Sequence, residues 1–352
     1  MCPRYCPCVG GVETHVKEIS EKLVERGFEV EVLTTDSSKK LPKEEMVNTV
    51  KVKRFRSWAP SEAYYFSRDL KKYLIKNSDS FDIVHAHSYH AFPALYAAQA
   101  KGRNKLVFTP HYHGTGHTFL RSLFHAPYKF LGKRIFEKAE KIICVSGYDK
   151  NLILNHFGVS EEKIVVIPNG VNLEEFKVLE KRKKDYRVIL YVGRLEKYKG
   201  VQHLIRVLPR LCNDMVLELV GNGPYKKSLV KLTRKLDVDA RVKFFQDLPR
   251  NELLQKYADA DVFILLSEHE AFGISVAEAL ASKNPCILAN TSGLKEWVDN
   301  KNCFGVNYPI EVDELVRLVN KVVGRKVHQV KLLDWEEAIE ELAELYHGIA
   351  EI

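Results

Sequence analysis

The sequence predicts an α/β protein with mostly parallel sheets, divided into two halves. Three observations carry this. Short β-branched or apolar runs alternate with helical patterns along the chain, as right-handed βαβ units require. A charged run without apolar period at 180–187 follows the turn chemistry of Pro168-Asn169-Gly170, so a break falls between Pro168 and Arg187. The chain has 352 residues, more than the roughly 250–300 at which a single hydrophobic core stops growing.

In order, the first half opens with a helix from the Gly10-Gly11 pair to about Arg26, with Val12, Val16, Ile19, Leu23 and Val24 as its buried stripe. Strands are expected at 29–35, 82–86, 105–109, 141–145 and 163–167. The charged run at 180–187 reads as a solvated linker. In the second half strands are expected at 187–192, 215–220, 242–245, 261–266, 285–289 and 305–307. The segment 335–346 places Ala338/Ile339, Leu342/Ala343 and Leu345/Tyr346 at helical spacing. It is an amphipathic helix that needs an apolar surface to cover.

The bulk numbers exclude several classes. No apolar run approaches the ~20 residues that span a bilayer, and residues 1–8 have no apolar core of signal-peptide length. A cytoplasmic location is expected, with room for peripheral attachment to the membrane's cytoplasmic face. The net charge of +8 fits a lysine-rich soluble surface, or one that meets nucleotide phosphates or acidic lipid. No zinc-finger spacing and no basic helix with heptads points to nucleic acid. Of seven cysteines, Cys144, Cys212 and Cys286 sit in or beside apolar runs, as small core residues do. Cys2, Cys6 and Cys8 cluster without the second Cys/His group that a zinc site needs.

Chemistry concentrates at strand ends. Glu270-Ala-Phe272-Gly273-Ile274-Ser-Val-Ala-Glu278 follows an apolar run. One carboxylate lies on the loop leaving a strand and the other one to two turns into the next helix. Ligands of α/β sheets bind at such carboxyl ends, and an ionised carboxylate accepts two hydroxyl donors at once. Arg194 and Lys199 lie in the loop after the first strand of the second half. They can clamp a diphosphate by charge-assisted hydrogen bonds, although a solvated basic loop has the same composition. Gly221 and Gly223 end the next strand, as a tight turn or as bare backbone for a nucleotide or sugar. Gly10 and Gly11 precede a helix start that favours an anion. His85, His87, His90, His111, His113 and His117 all read as following strand ends. A metal site would pair His85/His87 with His111/His113, but no acidic ligand falls at a familiar spacing. Hydrogen bonding to a polar substrate suits them better. The Gly-x-Ser-x-Gly elbow, the Walker loop and the Rossmann Gly-x-Gly-x-x-Gly are absent.

The ordered set Gly10-Gly11-Val-Glu13, Val84-His-Ala-His87, Pro168-Asn-Gly-Val171, Gly193-Arg-Leu with Lys199-Gly200, Gly221-x-Gly223-Pro224 and Glu270-x7-Glu278 resembles the family 4 glycosyltransferases of the GT-B fold over nearly the whole chain. The resemblance implies two Rossmann-like domains with parallel sheets facing across a cleft: 1–171 on the acceptor side, 172–335 binding the nucleotide sugar, and a C-terminal helix, 336–352, packing back on the first. It implies a retaining glycosyltransferase that moves a sugar from a nucleotide-diphospho-sugar to a glycan or lipid-linked hydroxyl, without metal or cofactor. Arg194 and Lys199 would hold the diphosphate, Glu278 the ribose and Glu270 the donor sugar. Gly10, Gly11, Gly221, Gly223, Phe272, Gly273 and Ile274 would line the donor, and His111 would contact its sugar. A non-catalytic sugar-nucleotide-binding protein and a same-fold sugar-nucleotide epimerase are the alternatives.

Family members begin with an apolar strand running into the Gly-Gly loop. Only Met1-Cys-Pro3 precedes that loop region here, so the first, central strand is expected to be largely missing. The loop after 242–245 reads Gln246-Asp247 where the family commonly has glycine, which leaves the base open. The stretch 119–136 mixes aromatics with Arg121, Lys129, Lys133 and Arg134. It reads as ordinary core packing or as a basic amphipathic surface for an anionic bilayer.

Overall fold

A computed structural model describes the chain except residues 9, 61–63, 113, 115–118 and 351–352; for 119–127 it describes the main chain only. The chain divides into two compact units, residues 1–169 with 335–352, and residues 170–334.

The first unit contains α1 (Gly11–Glu25), β1 (Glu31–Asp36), β2 (Glu44–Val47), β3 (Val50–Arg56), α2 (Arg68–Asn77), β4 (Ile83–His87), α3 (Phe92–Ala100), β5 (Lys105–Thr109), α4 (Phe119–Lys138), β6 (Lys141–Cys144), α5 (Gly147–Phe157) and β7 (Ile164–Val166). β4-β5-β6-β7 form a parallel sheet. β1 pairs in parallel with β3, and β3 in antiparallel with β2.

Residues 1–3 bridge these two sheets. The Cys2 N–H donates to the Leu33 carbonyl at 3.1 Å, and Thr35 N–H to the Pro3 carbonyl at 3.3 Å. On the other side His87 N–H donates to the Met1 carbonyl at 2.9 Å, and the Met1 nitrogen to the His85 carbonyl at 2.6 Å. Three residues therefore satisfy backbone groups of both β1 and β4 that a gap would leave unpaired. Cys2 is fully buried, so the apolar gap is filled as well.

The second unit contains α6 (Glu174–Lys177), β8 (Arg187–Val192), α7 (Val201–Val207), β9 (Met215–Val220), α8 (Lys226–Lys235), β10 (Val242–Phe245), α9 (Arg250–Asp259), β11 (Val262–Leu265), α10 (Ile274–Ala281), β12 (Cys286–Ala289), β13 (Cys303–Val306) and α11 (Val312–Val322). Its six parallel strands run β10-β9-β8-β11-β12-β13. β8 stands at the centre, with later strands laid down first to one side and then to the other. This is the doubly wound order, whose switch point lies between β8 and β11. β11 and β12 are buried at every position, as strands covered on both faces must be.

Chain ends 170–173 and 333–334 are tied together in this unit. Val171 N–H donates to the Leu333 carbonyl at 2.9 Å, and Leu173 N–H to Asp334 Oδ2 at 3.2 Å. The last helix, α12 (Trp335–Ala350), belongs to the first unit. It buries Trp335, Ala338, Ile339, Leu342, Tyr346 and Ile349 and packs on α1. Arg26 Nη2 reaches Glu336 at 2.6 Å, and Lys22 pairs with the same carboxylate.

Two expectations need correction. The run at 180–187 is solvent-exposed at 180–183 and 185, as expected, but it is not detached from the fold. Lys184 lies 3.2 Å from Asp259 and 3.8 Å from Glu218, and Lys181 lies 2.6 Å from Asp261. Glu218 is almost fully buried within β9, and a buried carboxylate needs such partners. Cys212 is exposed rather than a core residue.

Candidate active site

At the switch point of the second unit, β8 ends at Val192 and the chain passes through Gly193-Arg194-Leu195 into one helical turn, Lys197–Lys199. Leu195 is fully buried, and its N–H donates to the Asn222 carbonyl at 2.9 Å. This loop therefore lies against the end of β9. A Cβ on Gly221 would stand 2.0 Å from the Gly193 carbonyl oxygen, and one on Gly223 would stand 2.4 Å from that of Leu195. These glycines let protein backbone approach protein backbone, as the tight-turn reading of the sequence implied. Gly200, in the left-handed region at φ 76°, would put a Cβ 2.2 Å from the Leu266 carbonyl oxygen. Only glycine lets the β8 loop settle on the end of β11 there.

That close approach brings Lys199 to Glu270. The two form an ion pair whose side chains keep 13% and 15% of their exposure. The Ser267 hydroxyl donates to the same oxygen, Oε1, at 3.0 Å. Glu270 is clamped through its main chain too. Its N–H donates to Ser292 Oγ at 3.1 Å, and its carbonyl accepts from Gly293 N–H at 2.9 Å. Burial pulls the Lys199 pKa down, but the charge and hydrogen bond of Glu270, with Tyr198 and Glu196, together outweigh it and the net shift is upward. The ammonium stays charged.

Glu278 sits in a different polar group. Gly273, at φ 90°, caps α10, the Phe272 carbonyl accepts from Trp297 Nε1 at 2.7 Å, and Ile274 begins the helix. One turn on, Glu278 is 8% exposed. Arg250 Nη1 donates to its Oε1 at 2.6 Å, and the Tyr257 hydroxyl to its Oε2 at 2.8 Å. Arg250 also donates to Glu175 at 2.6 Å. Burial pulls the Arg250 pKa down, yet Glu278 and Glu175 bring the net shift upward. Burial, then the Glu278 charge, pushes the Tyr257 phenol well up, so it remains a donor. Arg194 is more open, with its guanidinium 42% exposed and 3.1 Å from Glu196.

In the first unit Gly10 and Gly11 open α1. A Cβ on Gly11 would meet nothing within 4 Å, while one on Gly10 would stand 2.3 Å from Glu13 Oε2. Glu13 is buried and 2.7 Å from Arg4. His111 follows β5 at φ 46°, a backbone region uncommon outside glycine and often found at functional sites. His85 and His87 lie within β4 rather than after it. His85 is engaged by Tyr346 Oη at 2.6 Å and Thr109 Oγ1 at 2.7 Å. His90 packs against Tyr89 and Tyr112. His113 and His117 lie outside the described residues. His15 joins His87 and His111 instead, with ring centroids 5.3 and 4.9 Å away. Its Nδ1 is 2.5 Å from Asn169 Oδ1, and burial, partly opposed by that bond, lowers its pKa to about 4.

Two family models cover the chain in succession. Glycosyltransferase Family 4 matches residues 9–175, and Glycosyl transferases group 1 matches residues 173–337. The chain belongs to the family 4 glycosyltransferases. An uncharacterized glycosyltransferase of Methanocaldococcus jannaschii is 29% identical over 339 residues, covering 90% of this glycosyltransferase and 86% of that protein. The GPI3 subunit of phosphatidylinositol N-acetylglucosaminyltransferase from Saccharomyces cerevisiae is 24% identical over 380 residues, covering 99% and 82%. The crystal structure of Anabaena HepE in complex with UDP and glucose superposes with a TM-score of 0.79 at 18% identity, over 98% of both chains. That likeness gives this glycosyltransferase the GT-B fold.

Sequence reasoning missed Arg250, Tyr257, Ser267 and His15 as partners in these groups. Arg250 and Glu278 are 28 positions apart, and His15 and Asn169 are 154 apart, so no local spacing links them. Ser267 stands three residues before Glu270, a short-range signal that was available.

Proposed function

We propose that this glycosyltransferase takes a sugar from a nucleotide-diphospho-sugar, retains its anomeric configuration and needs no metal ion. The observation that carries this reading is the Lys199–Glu270 pair at the switch point between β8 and β11, with Glu278 held separately by Arg250 and Tyr257. An ammonium has three N–H donors, so Lys199 can bind Glu270 and still meet phosphate oxygens. Arg194, open and on the same loop, supplies a second cation. As the bond from sugar to phosphate breaks, its electron pair stays on the diphosphate, where fixed cations stabilise it. The acceptor hydroxyl attacks from the face of departure and passes its proton to the leaving phosphate oxygen. Both hydrogen bonds to Glu270 fall on Oε1, which leaves Oε2 to orient the donor sugar. Glu278 receives the ribose hydroxyls. In the first unit the reading gives Gly10, Gly11 and His111 to the donor, and the open space beside Gly11 supports this.

The relative names and the UDP complex make UDP-sugars the first donors to test and a lipid-linked hydroxyl the first acceptor. Thermal unfolding in EDTA with UDP-, GDP- and ADP-sugars should single out one donor. A hundredfold excess over Kd adds about 2.7 kcal/mol. Transfer should persist in EDTA, and NMR should find the donor's anomeric configuration in the product. Absence of any nucleotide stabilisation overturns the donor assignment, and an inverted product or loss of turnover in EDTA overturns the mechanism. Conversion of UDP-N-acetylglucosamine without acceptor would instead identify an epimerase.

Peripheral membrane contact through 119–136 is part of the same proposal. In the described half of α4, Tyr128, Ile135 and Phe136 are buried. Phe130 is 75% exposed beside exposed Leu131, Lys133 and Arg134. An aromatic ring flanked by cations suits an anionic bilayer surface. Co-sedimentation with acidic vesicles at low salt should fall several-fold in Phe130→Asp. Equal binding by this variant, or none by the wild type, removes the contact.

A further inference from the structure

The first unit holds a group of imidazoles gathered from three elements: His15 on α1, His87 at the end of β4 and His111 after β5. One potential ligand atom from each lies within 4.8 Å of the others. His15 and His87 are 4% and 2% exposed, and His15 Nε2 and His87 Nδ1 are buried without a hydrogen-bond partner. Native interiors seldom keep two such nitrogens side by side without a bound species to satisfy them. The amide oxygen of Asn169 only accepts, so His15 Nδ1 carries the proton of that 2.5 Å bond. Nε2 then faces the group as a lone pair. A ligating imidazole is typically fixed in this way, with its other nitrogen donating to an oxygen.

We propose that His15, His87 and His111 form a three-histidine site for a first-row divalent cation of the zinc class. The ligand set selects that class. Three imidazoles without a carboxylate suit zinc, cobalt, nickel or copper, whereas magnesium and calcium need oxygen ligands. Zinc binds imidazole nitrogen at about 2.0–2.1 Å, so the three nitrogens draw together on binding. A hydroxide or other anion in the fourth position offsets the charge that neutral ligands leave uncompensated. His85 does not contribute, because Tyr346 and Thr109 already occupy both its nitrogens. The ion takes no part in transfer.

The test uses the full chain, freed of metal with EDTA, desalted and titrated with Co²⁺ in the absence of donor. We expect one equivalent per chain, visible d–d bands of tetrahedral intensity and displacement by Zn²⁺. The bands should vanish in His15→Ala and His87→Ala and persist in His203→Ala, a histidine of the second unit. Asn169→Ala should weaken binding about 10–100-fold while retaining all three ligands, so the proposal stays testable if a core histidine variant unfolds. No stoichiometric cobalt uptake by the wild type overturns it, as does unchanged affinity in folded His15→Ala or His87→Ala. Because no donor is present, this result is independent of the transfer reading.

Discussion

Lys199→Met will lower turnover by about 10²–10³-fold, the usual cost of removing one preorganised donor to developing charge. The substitution keeps the length and burial of the side chain but removes the cation. It also strands the Glu270 carboxylate, whose side chain is only 15% exposed. Stability should therefore fall, by somewhat less than the roughly 3–5 kcal/mol lost when a fully buried pair is broken. A second substitution separates the two effects. In Lys199→Met/Glu270→Gln the stranded charge is gone, so urea unfolding should recover most of the lost stability while turnover stays low. If the double variant recovers turnover together with stability, Lys199 is a structural partner and the diphosphate role is wrong.

Arg250→Met should raise the donor Kd and KM by about 10–100-fold with a much smaller change in kcat. A charge-assisted hydrogen bond contributes about 1.5–3 kcal/mol, and this one sets the carboxylate that we propose meets the ribose. Glu278 accepts from Arg250 on one oxygen and from Tyr257 on the other. A carboxylate has about four lone-pair sites, so one on each oxygen remains for two adjacent hydroxyls. Removing Arg250 frees the carboxylate to rotate. Arg250 also holds Glu175, so Arg250→Met/Glu175→Gln serves as the comparison that removes the second stranded acid. Calorimetric titration with the donor nucleotide checks this. Unchanged affinity in both variants would show that Arg250 only ties α9 to α6.

The sequence made part of the chemistry of the second unit legible because Glu270 and Arg194 each follow a short, largely apolar strand. Glu270 follows β11, and Arg194 follows β8, as the pattern implied. The purpose of the glycines was harder to see. Gly221 and Gly223 read as a tight turn or as ligand-facing backbone; their neighbours include main-chain oxygens of a loop some 28 residues earlier, and no periodicity reports such contacts. The β2–β3 hairpin was missed. β2 is Glu-Glu-Met-Val at the sheet edge, with only Val47 as an apolar inward residue to show alternation, although Val50 and Val52 of β3 are fully buried. Its Arg54 is buried as well, against Glu45 and the Cys6 carbonyl, and a buried arginine breaks the apolar signature of a strand. The strand role of residues 1–3 was illegible for a simpler reason: three residues are too few to show a period.

The second unit starts and finishes at one stitched seam, where Val171 meets Leu333 and Asp334. Topologically it is an insert, spliced into its host through neighbouring ends. Such inserts can be exchanged between hosts with little disturbance to either. The second unit can thus be replaced as a whole cassette, by recombination rather than by coordinated point changes.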